Sequence, residues 1–193
     1  MPLLLNILEI VCVVLGASAS FIFDCFFMVS VKKHRITPYE EKTLSRLNLM
    51  AVICSFTALF VYILSVSYFF ESDTLGAVAN SQAYLSFITA KIAILALAFV
   101  CGLTLRKIHL PTLLRYQRQY FHLSEHMVEH QYSLVSTAMY SSAAWLMILA
   151  LTAVEQNQDV TSLHVGFLAI FGTYIVAGYV FSRAGWVIKS VLS

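Results

Sequence analysis

Hydrophobic positions dominate the chain in long runs that are separated by short polar stretches. Runs of about 20 apolar residues, the length that crosses a hydrocarbon core of about 30 Å, recur along it. They predict transmembrane helices at about 3–31, 38–70, 77–105, 112–154 and 163–190. We therefore expect an all-α membrane protein, a five-helix bundle in which residues 1–193 form one integral membrane domain.

Two polar stretches carry helix-start signals. The tetrapeptide TPYE at 37–40 combines a capping box with proline at the first helical position, so the second helix is predicted to begin at Pro38. Between the third and fourth spans, a proline again follows a polar stretch, in which Arg106, Lys107 and His109 precede Pro111. We expect Pro111 to open the fourth helix, which starts with an amphipathic segment before it enters the membrane.

Composition and charge agree with a membrane protein. The chain is 60% hydrophobic and 11% charged, against about 25% charged in soluble domains. Apart from Lys91, the basic residues lie between spans one and two, between spans three and four, and at the C-terminus. Because cytoplasmic loops carry the excess of Lys and Arg, we predict an outer N-terminus and a cytoplasmic C-terminus. These dispersed charges form no nucleic-acid-binding patch, and the lipid bilayer is the predicted partner.

Ionisable residues inside the spans are the main functional candidates, because charges are costly in hydrocarbon. Glu9 and Lys91 fall at similar depths in the outer half of the first and third spans, so we expect them to pair. Asp24 lies in the inner half, where Arg46 is a candidate partner. The predicted intramembrane polar site consists of Glu9, Lys91, Asn6, Thr89, Asp24 and Arg46. The alternative is a set of structural ion pairs that fix helix register.

A histidine stripe, 120–132, contains the pattern H-x-x-E-H twice. Its polar residues, which share one helical face, are His122, Glu125, His126, Glu129 and His130. A solvated helix face explains this pattern, and it is the interpretation we favour. The alternative is a metal site, in which two histidines at i and i+4 share one ion. It requires a third ligand from Glu125, Glu129, His34 or His109.

Small residues at 16–20 are predicted to form a helix-packing face in the first span. The same stretch contains an A-x-A pattern typical of signal-peptide cleavage sites. We expect no cleavage there, because a basic n-region is lacking and Glu9 interrupts the apolar run.

Two segments carry a resemblance to a known group. LNILEIVCVVLGASASFIFDCFF at 5–27 and FITAKIAILALAF at 87–99 resemble helices of small bacterial membrane proteins related to the copper-resistance-D type and to integral-membrane protoporphyrinogen oxidases. The resemblance implies a bacterial inner-membrane location, with haem, another tetrapyrrole or a transition metal as candidate cofactors. Lys91 matches the lysine of such oxidases, whereas Asn6 and Thr89 stand where they have histidines.

The functional hypotheses follow from these features. The first is a membrane protein whose polar intramembrane site binds a small ligand or cofactor, in a redox-related role. The second is a small oligomeric permease or ion-conducting protein, and the third a structural or assembly subunit of a larger membrane complex. No nucleophile triad, phosphate loop or complete metal signature assigns an enzyme class.

Overall fold

The computed structural model describes residues 2–32, 37–71, 82–115, 125–157, 169–170, 172–180 and 183, and all of these except Thr37 are helical. The helices are α1 (Pro2–Lys32), α2 (Pro38–Glu71), α3 (Gln82–Thr104), α4 (Leu110–Arg115) and α5 (Glu125–Asn157). A π-helical turn, Leu105–His109, joins α3 to α4. Residues 169–170 and 172–180 are named the C-terminal segment.

The long helices form a closed ring of neighbours. α1 packs against α2 and α5, and α3 packs against the same two helices from the opposite side. In the described part of the chain, four helical stretches are long and apolar enough to cross a membrane: Leu3–Phe27, Pro38–Ser67, Leu85–Thr112 and Ser133–Gln156. We call this arrangement the bundle.

The predicted fifth span lies largely outside the described residues. Its described part, the C-terminal segment, is helical and contributes Ile170 and Tyr174 to the buried core. Tyr174 meets Tyr140 of α5 edge-on, with ring centroids 6.4 Å apart. This segment therefore packs against α5, in agreement with a further helix beside the bundle.

The outer surface of the bundle is apolar. Large hydrophobic side chains are exposed on each long helix, among them Ile7, Phe56, Val100 and Leu146. Water-soluble proteins rarely expose contiguous apolar surface on this scale. The surface instead fits contact with lipid, which confirms the prediction of a membrane protein.

The start of α2 is the predicted capping box. The Thr37 backbone N–H donates to Glu40 Oε2 at 2.8 Å, and the Glu40 backbone N–H donates to Thr37 Oγ1 at 3.2 Å. The helix begins at Pro38, whose missing N–H costs nothing at the first helical position. Local sequence therefore fixes this helix end.

The junction after α3 differs from the prediction. The predicted break at 106–111 is helical, and Pro111 lies inside α4 instead of opening the next long helix. Proline in a helix lacks an N–H and its ring clashes with the carbonyl four residues earlier. A π-helical turn directly before it, closed by the Leu110 N–H bonding to Leu105 O, widens the helix and gives the ring space.

The predicted small-residue face packs in the middle of the bundle. Gly16 and Ala17 of α1 are buried against α5, where the Trp145 ring occupies the space that a Cβ on residue 16 would need. Trp145 itself is fully buried. Glycine at position 16 thus leaves space for the Trp145 ring, the largest fully buried side chain, beside α1.

Candidate functional site

A buried lysine is the centre of the most polar region inside the bundle. Lys91 of α3 is 0% exposed, and its Nζ lies 2.5 Å from Glu9 Oε1 of α1. The same ammonium donates a hydrogen bond to Glu155 Oε2 of α5. The predicted Glu9–Lys91 pair is therefore confirmed, and Glu155 makes it a triad, which we call the Glu–Lys–Glu triad.

An aromatic ring completes the surroundings of the ammonium. Lys91 Nζ lies 4.2 Å from the centre of the Tyr62 ring on α2, within the range of cation–π attraction. Each long helix thus contributes one of these side chains. All lie near the end of the bundle where α1 begins and α2 and α5 end, which we call the cleft end.

A partly open cleft adjoins the triad at this end. Its volume is about 340 Å³, within the roughly 300–1,000 Å³ of small-molecule sites. The lining residues are Leu3, Asn6, Glu9, Tyr62, Ser65, Val66, Glu155 and Gln156. Both carboxylates of the triad therefore face space that a ligand is able to occupy.

Hydrogen bonding at the cleft is partly satisfied. The Gln156 side-chain amide donates to Asn6 Oδ1 at 2.8 Å, which ties the start of α1 to the end of α5. Ser65 Oγ is buried without a hydrogen-bond partner among the described residues. A buried hydroxyl of this kind normally has a partner, so it is an available contact for a ligand.

The two carboxylates differ in access to solvent. The Glu9 side chain is 5% exposed, whereas the Glu155 side chain is 25% exposed. Glu9 is thus nearly enclosed by protein, and Glu155 is the more accessible of the two carboxylates. A molecule in the cleft therefore has freer access to Glu155 than to Glu9.

Asp24 belongs to a separate polar cluster near the opposite end. Ser142 of α5 donates a hydrogen bond to Asp24 Oδ2, and the Ser142 and Ser20 hydroxyl oxygens are 3.2 Å apart. The predicted Asp24–Arg46 contact is not among the ion pairs of the described residues. Arg46 is exposed, since it shares an exposed face of α2 with Met50 and Ile53, where these residues line a shallow apolar groove.

An apolar layer separates the two polar clusters. Glu9 and Asp24 are about 22 Å apart along α1 at about 1.5 Å per residue. The buried side chains between them include Val13, Ala17 and Trp145. Among the described residues, this layer contains no buried Asp, Glu, Lys, Arg or His side chain.

The other predicted site residues divide between the cleft and the surface. Asn6 lines the cleft, as expected for a neighbour of Glu9. Thr89 is exposed on the outside of α3, where its hydroxyl donates to the Leu85 carbonyl. Residues two positions apart on a helix point to different faces. Thr89 is therefore close to Lys91 in sequence but does not lie beside its ammonium.

Sequence reasoning missed Glu155, Tyr62 and Gln156. Glu155 comes directly after the predicted fourth span, 112–154, and so falls outside the predicted transmembrane helices. A signal was present, because α5 continues to Asn157 and Glu155 has the same depth as Glu9. Tyr62 and Gln156 carry no signal of this kind. Tyr62 lies inside the apolar run of the second span, and Gln156 is an uncharged residue just after the fourth span.

The histidine stripe stays a prediction. His122 lies outside the described residues, and for Glu125, His126, Glu129 and His130 the structure describes the helical backbone at the start of α5 but not the side chains. Within the described part of the chain, no group of three or more His, Cys, Asp and Glu side chains is arranged to hold a metal ion.

Of the two candidate third ligands outside the stripe, His34 lies outside the described residues and His109 is described. It is buried in the π-helical turn, with Nε2 3.4 Å from Thr137 Oγ1 of α5. Its contacts are thus with the interior of the bundle.

No family model, curated protein or solved structure matches the chain. The resemblance to copper-resistance-D-type proteins and membrane protoporphyrinogen oxidases therefore stays an expectation. Among the described residues, the cleft lining includes no histidine, cysteine or methionine, the most common ligands of haem iron. Tyrosine holds haem iron in some proteins, but the Tyr62 ring already contacts the Lys91 ammonium.

Proposed function

We propose that this protein is a membrane-spanning binding protein for a small molecule, which occupies the cleft beside the Glu–Lys–Glu triad. The observation that carries the proposal is the convergence of Glu9, Tyr62, Lys91 and Glu155 from separate helices beside a cavity of about 340 Å³. Groups brought together from distant parts of a chain beside such a cavity are the usual basis of a binding site.

A purely structural role accounts for less of this geometry. The Glu9–Lys91 pair alone would balance charge and fix helix register. A second carboxylate adds a charge that this pair does not need, and it is partly exposed and lines the cleft. A structural pair likewise gives no role to the Ser65 hydroxyl, which is buried without a hydrogen-bond partner among the described residues. Ligand binding accounts for both features.

The proposal includes the predicted topology. We place the cleft end at the outer face of a bacterial inner membrane, with the C-terminus cytoplasmic and the C-terminal segment as part of a fifth span. Support comes from the basic residues between α1 and α2 and after α3, at the bundle end opposite the cleft. A ligand then reaches Glu155 from outside.

Neighbouring substitutions in α2 test the binding site. Ser65→Phe puts a ring into the cleft, whereas Leu64→Phe, the matched control, changes a side chain that is 42% exposed on the bundle surface. Wild type and both variants, purified in mild detergent, are heated with n-butylammonium, pentanoate or 1-pentanol, which differ in charge but little in size.

We expect at least one of these probes to raise the melting temperature of the wild type and of Leu64→Phe, but not of Ser65→Phe. A ligand that binds only the folded state stabilises it, at about 2–4 °C per kcal/mol for a chain of this length. The proposal is wrong if no probe stabilises the wild type more than Ser65→Phe.

An absorption spectrum of the same preparation tests the tetrapyrrole expectation separately. We expect no Soret band, because the described cleft residues include no histidine, cysteine or methionine to bind haem iron. A Soret band that disappears in Ser65→Phe and persists in Leu64→Phe would show that the cleft binds a tetrapyrrole after all.

A further inference from the structure

The charges of the Glu–Lys–Glu triad do not balance. Among the described residues, the titratable side chains at this site are Glu9 and Cys12 on α1, Tyr62 on α2, Lys91 on α3 and Glu155 on α5. Carboxyl and ammonium side chains are formally charged at neutral pH, whereas thiol and phenol side chains are formally neutral. With every carboxyl ionised, the site therefore carries one surplus negative charge.

A surplus charge at this position is costly. Lys91 is fully enclosed and Glu9 nearly so, in a stretch predicted to lie within the membrane. Buried charges are tolerated when they are paired, and an uncompensated one is strongly unfavourable. The site therefore requires one further positive charge, which is either a proton on a carboxylate or a cation in the cleft.

The shape of the cleft selects the kind of cation. Leu3, Val66 and the Tyr62 ring provide apolar walls, and Glu155 provides a partly exposed carboxylate in the lining. A divalent metal ion needs several oxygen ligands around it, but the Lys91 ammonium already lies between the two carboxylates. An ammonium group on a short apolar body fits both the walls and the charge.

We propose that the cleft binds a primary ammonium compound with a small apolar body, and that binding displaces one proton from the triad. This inference rests on the proposed function and names its ligand class. In the empty site one carboxyl of the triad is protonated. On binding, its O–H bond breaks, the proton leaves to water, and the carboxylate accepts hydrogen bonds from the ligand ammonium. No electrons are transferred, and the charge of the site stays zero.

Calorimetric titration with n-butylammonium chloride tests the exchange. The titration is run near neutral pH in two buffers that differ in ionisation enthalpy, so that the difference in heat gives the protons released. We expect release of about one proton per bound cation, the linkage that displacement requires. Binding heats that are equal in the two buffers would mean that no proton is released, and this result would overturn the proposal.

Glu155→Gln removes the surplus charge while keeping the shape of the side chain. The remaining Glu9–Lys91 pair is neutral, so the variant should bind n-butylammonium about tenfold more weakly or worse, as for a lost charge-assisted hydrogen bond. Glu41→Gln, the control, removes a carboxylate at the opposite end of the bundle and should bind like the wild type. Equal binding by Glu155→Gln and wild type would contradict the proposal.

The probe panel separates this inference from the proposed function. Stabilisation by pentanoate or 1-pentanol, without stabilisation by n-butylammonium, would leave a small-molecule site but exclude an ammonium ligand. Stabilisation by none of the three removes both proposals.

A primary ammonium occurs in soluble amines and in ethanolamine lipid headgroups, and the lipid environment distinguishes these sources. A soluble amine should bind equally in nanodiscs of phosphatidylcholine and of phosphatidylethanolamine. A headgroup ligand should suppress n-butylammonium binding in the latter alone.

Discussion

Removal of Lys91 should destabilise the protein more than removal of either carboxylate. Lys91→Met deletes the ion pairs with Glu9 and Glu155 and the contact with the Tyr62 ring. It leaves two carboxylates facing each other in a mostly enclosed space. Breaking a buried pair by removing one partner costs about 3–5 kcal/mol in soluble proteins, and we expect a loss of that order.

The loss of stability on neutralising each carboxylate should be larger for the less exposed one. Glu9→Gln leaves the buried ammonium with one partner, so its loss should be smaller than that of Lys91→Met. The Glu155 side chain is 25% exposed, and solvent screening should limit the loss for Glu155→Gln to about 1 kcal/mol. Lys107→Met, which alters an exposed lysine of the π-helical turn, is the matched control and should change stability by about 0.5 kcal/mol or less.

The double variant tests whether the pair acts as a unit. Lys91→Met combined with Glu9→Gln removes both charges, so the combined loss should be smaller than the sum of the single losses, with a coupling of about 0.5–3 kcal/mol. The assay is reversible unfolding in mixed micelles of rising dodecyl sulfate content, followed by circular dichroism. Losses that add to within about 0.5 kcal/mol would refute a direct Glu9–Lys91 interaction.

Three further predictions test packing, the second polar cluster and topology. Gly16→Ala should lower the free energy of unfolding by about 1–3 kcal/mol, because its methyl group overlaps the Trp145 ring. Gly172→Ala, whose added Cβ meets no described atom within 4 Å, should cause no loss, and an equal melting temperature for the two variants would contradict this packing. Ser142→Ala should cost about 1–3 kcal/mol in the same assay, since it removes the hydrogen-bond donor to buried Asp24, and an unchanged value would show that this bond contributes nothing. A reporter fused to the C-terminus should be active in the cytoplasm alone, whereas periplasmic activity would reverse the proposed orientation.

Local patterns in the sequence predicted the spans, the start of α2 and the Glu9–Lys91 pair. Hydrophobic length indicates which stretches cross a membrane, because the thickness of the bilayer sets that length. The capping box at 37–40 is likewise local, since its hydrogen bonds join residues three positions apart. Depth along a helix follows from a fixed rise per residue, and so Glu9 and Lys91 could be matched.

Tertiary structure alone decided which side chains meet at a given depth. Rotation of each helix about its axis brings Tyr62 and Glu155 to the Lys91 ammonium and turns Thr89 outward. It also brings Asp24 to the Ser142 hydroxyl, its hydrogen-bond donor, rather than to Arg46. That rotation depends on how bulky and small residues of different helices fit together. The residue pattern of a single helix does not show how its side chains fit those of other helices. The cleft beside the triad results from this fit and could not be predicted from the sequence.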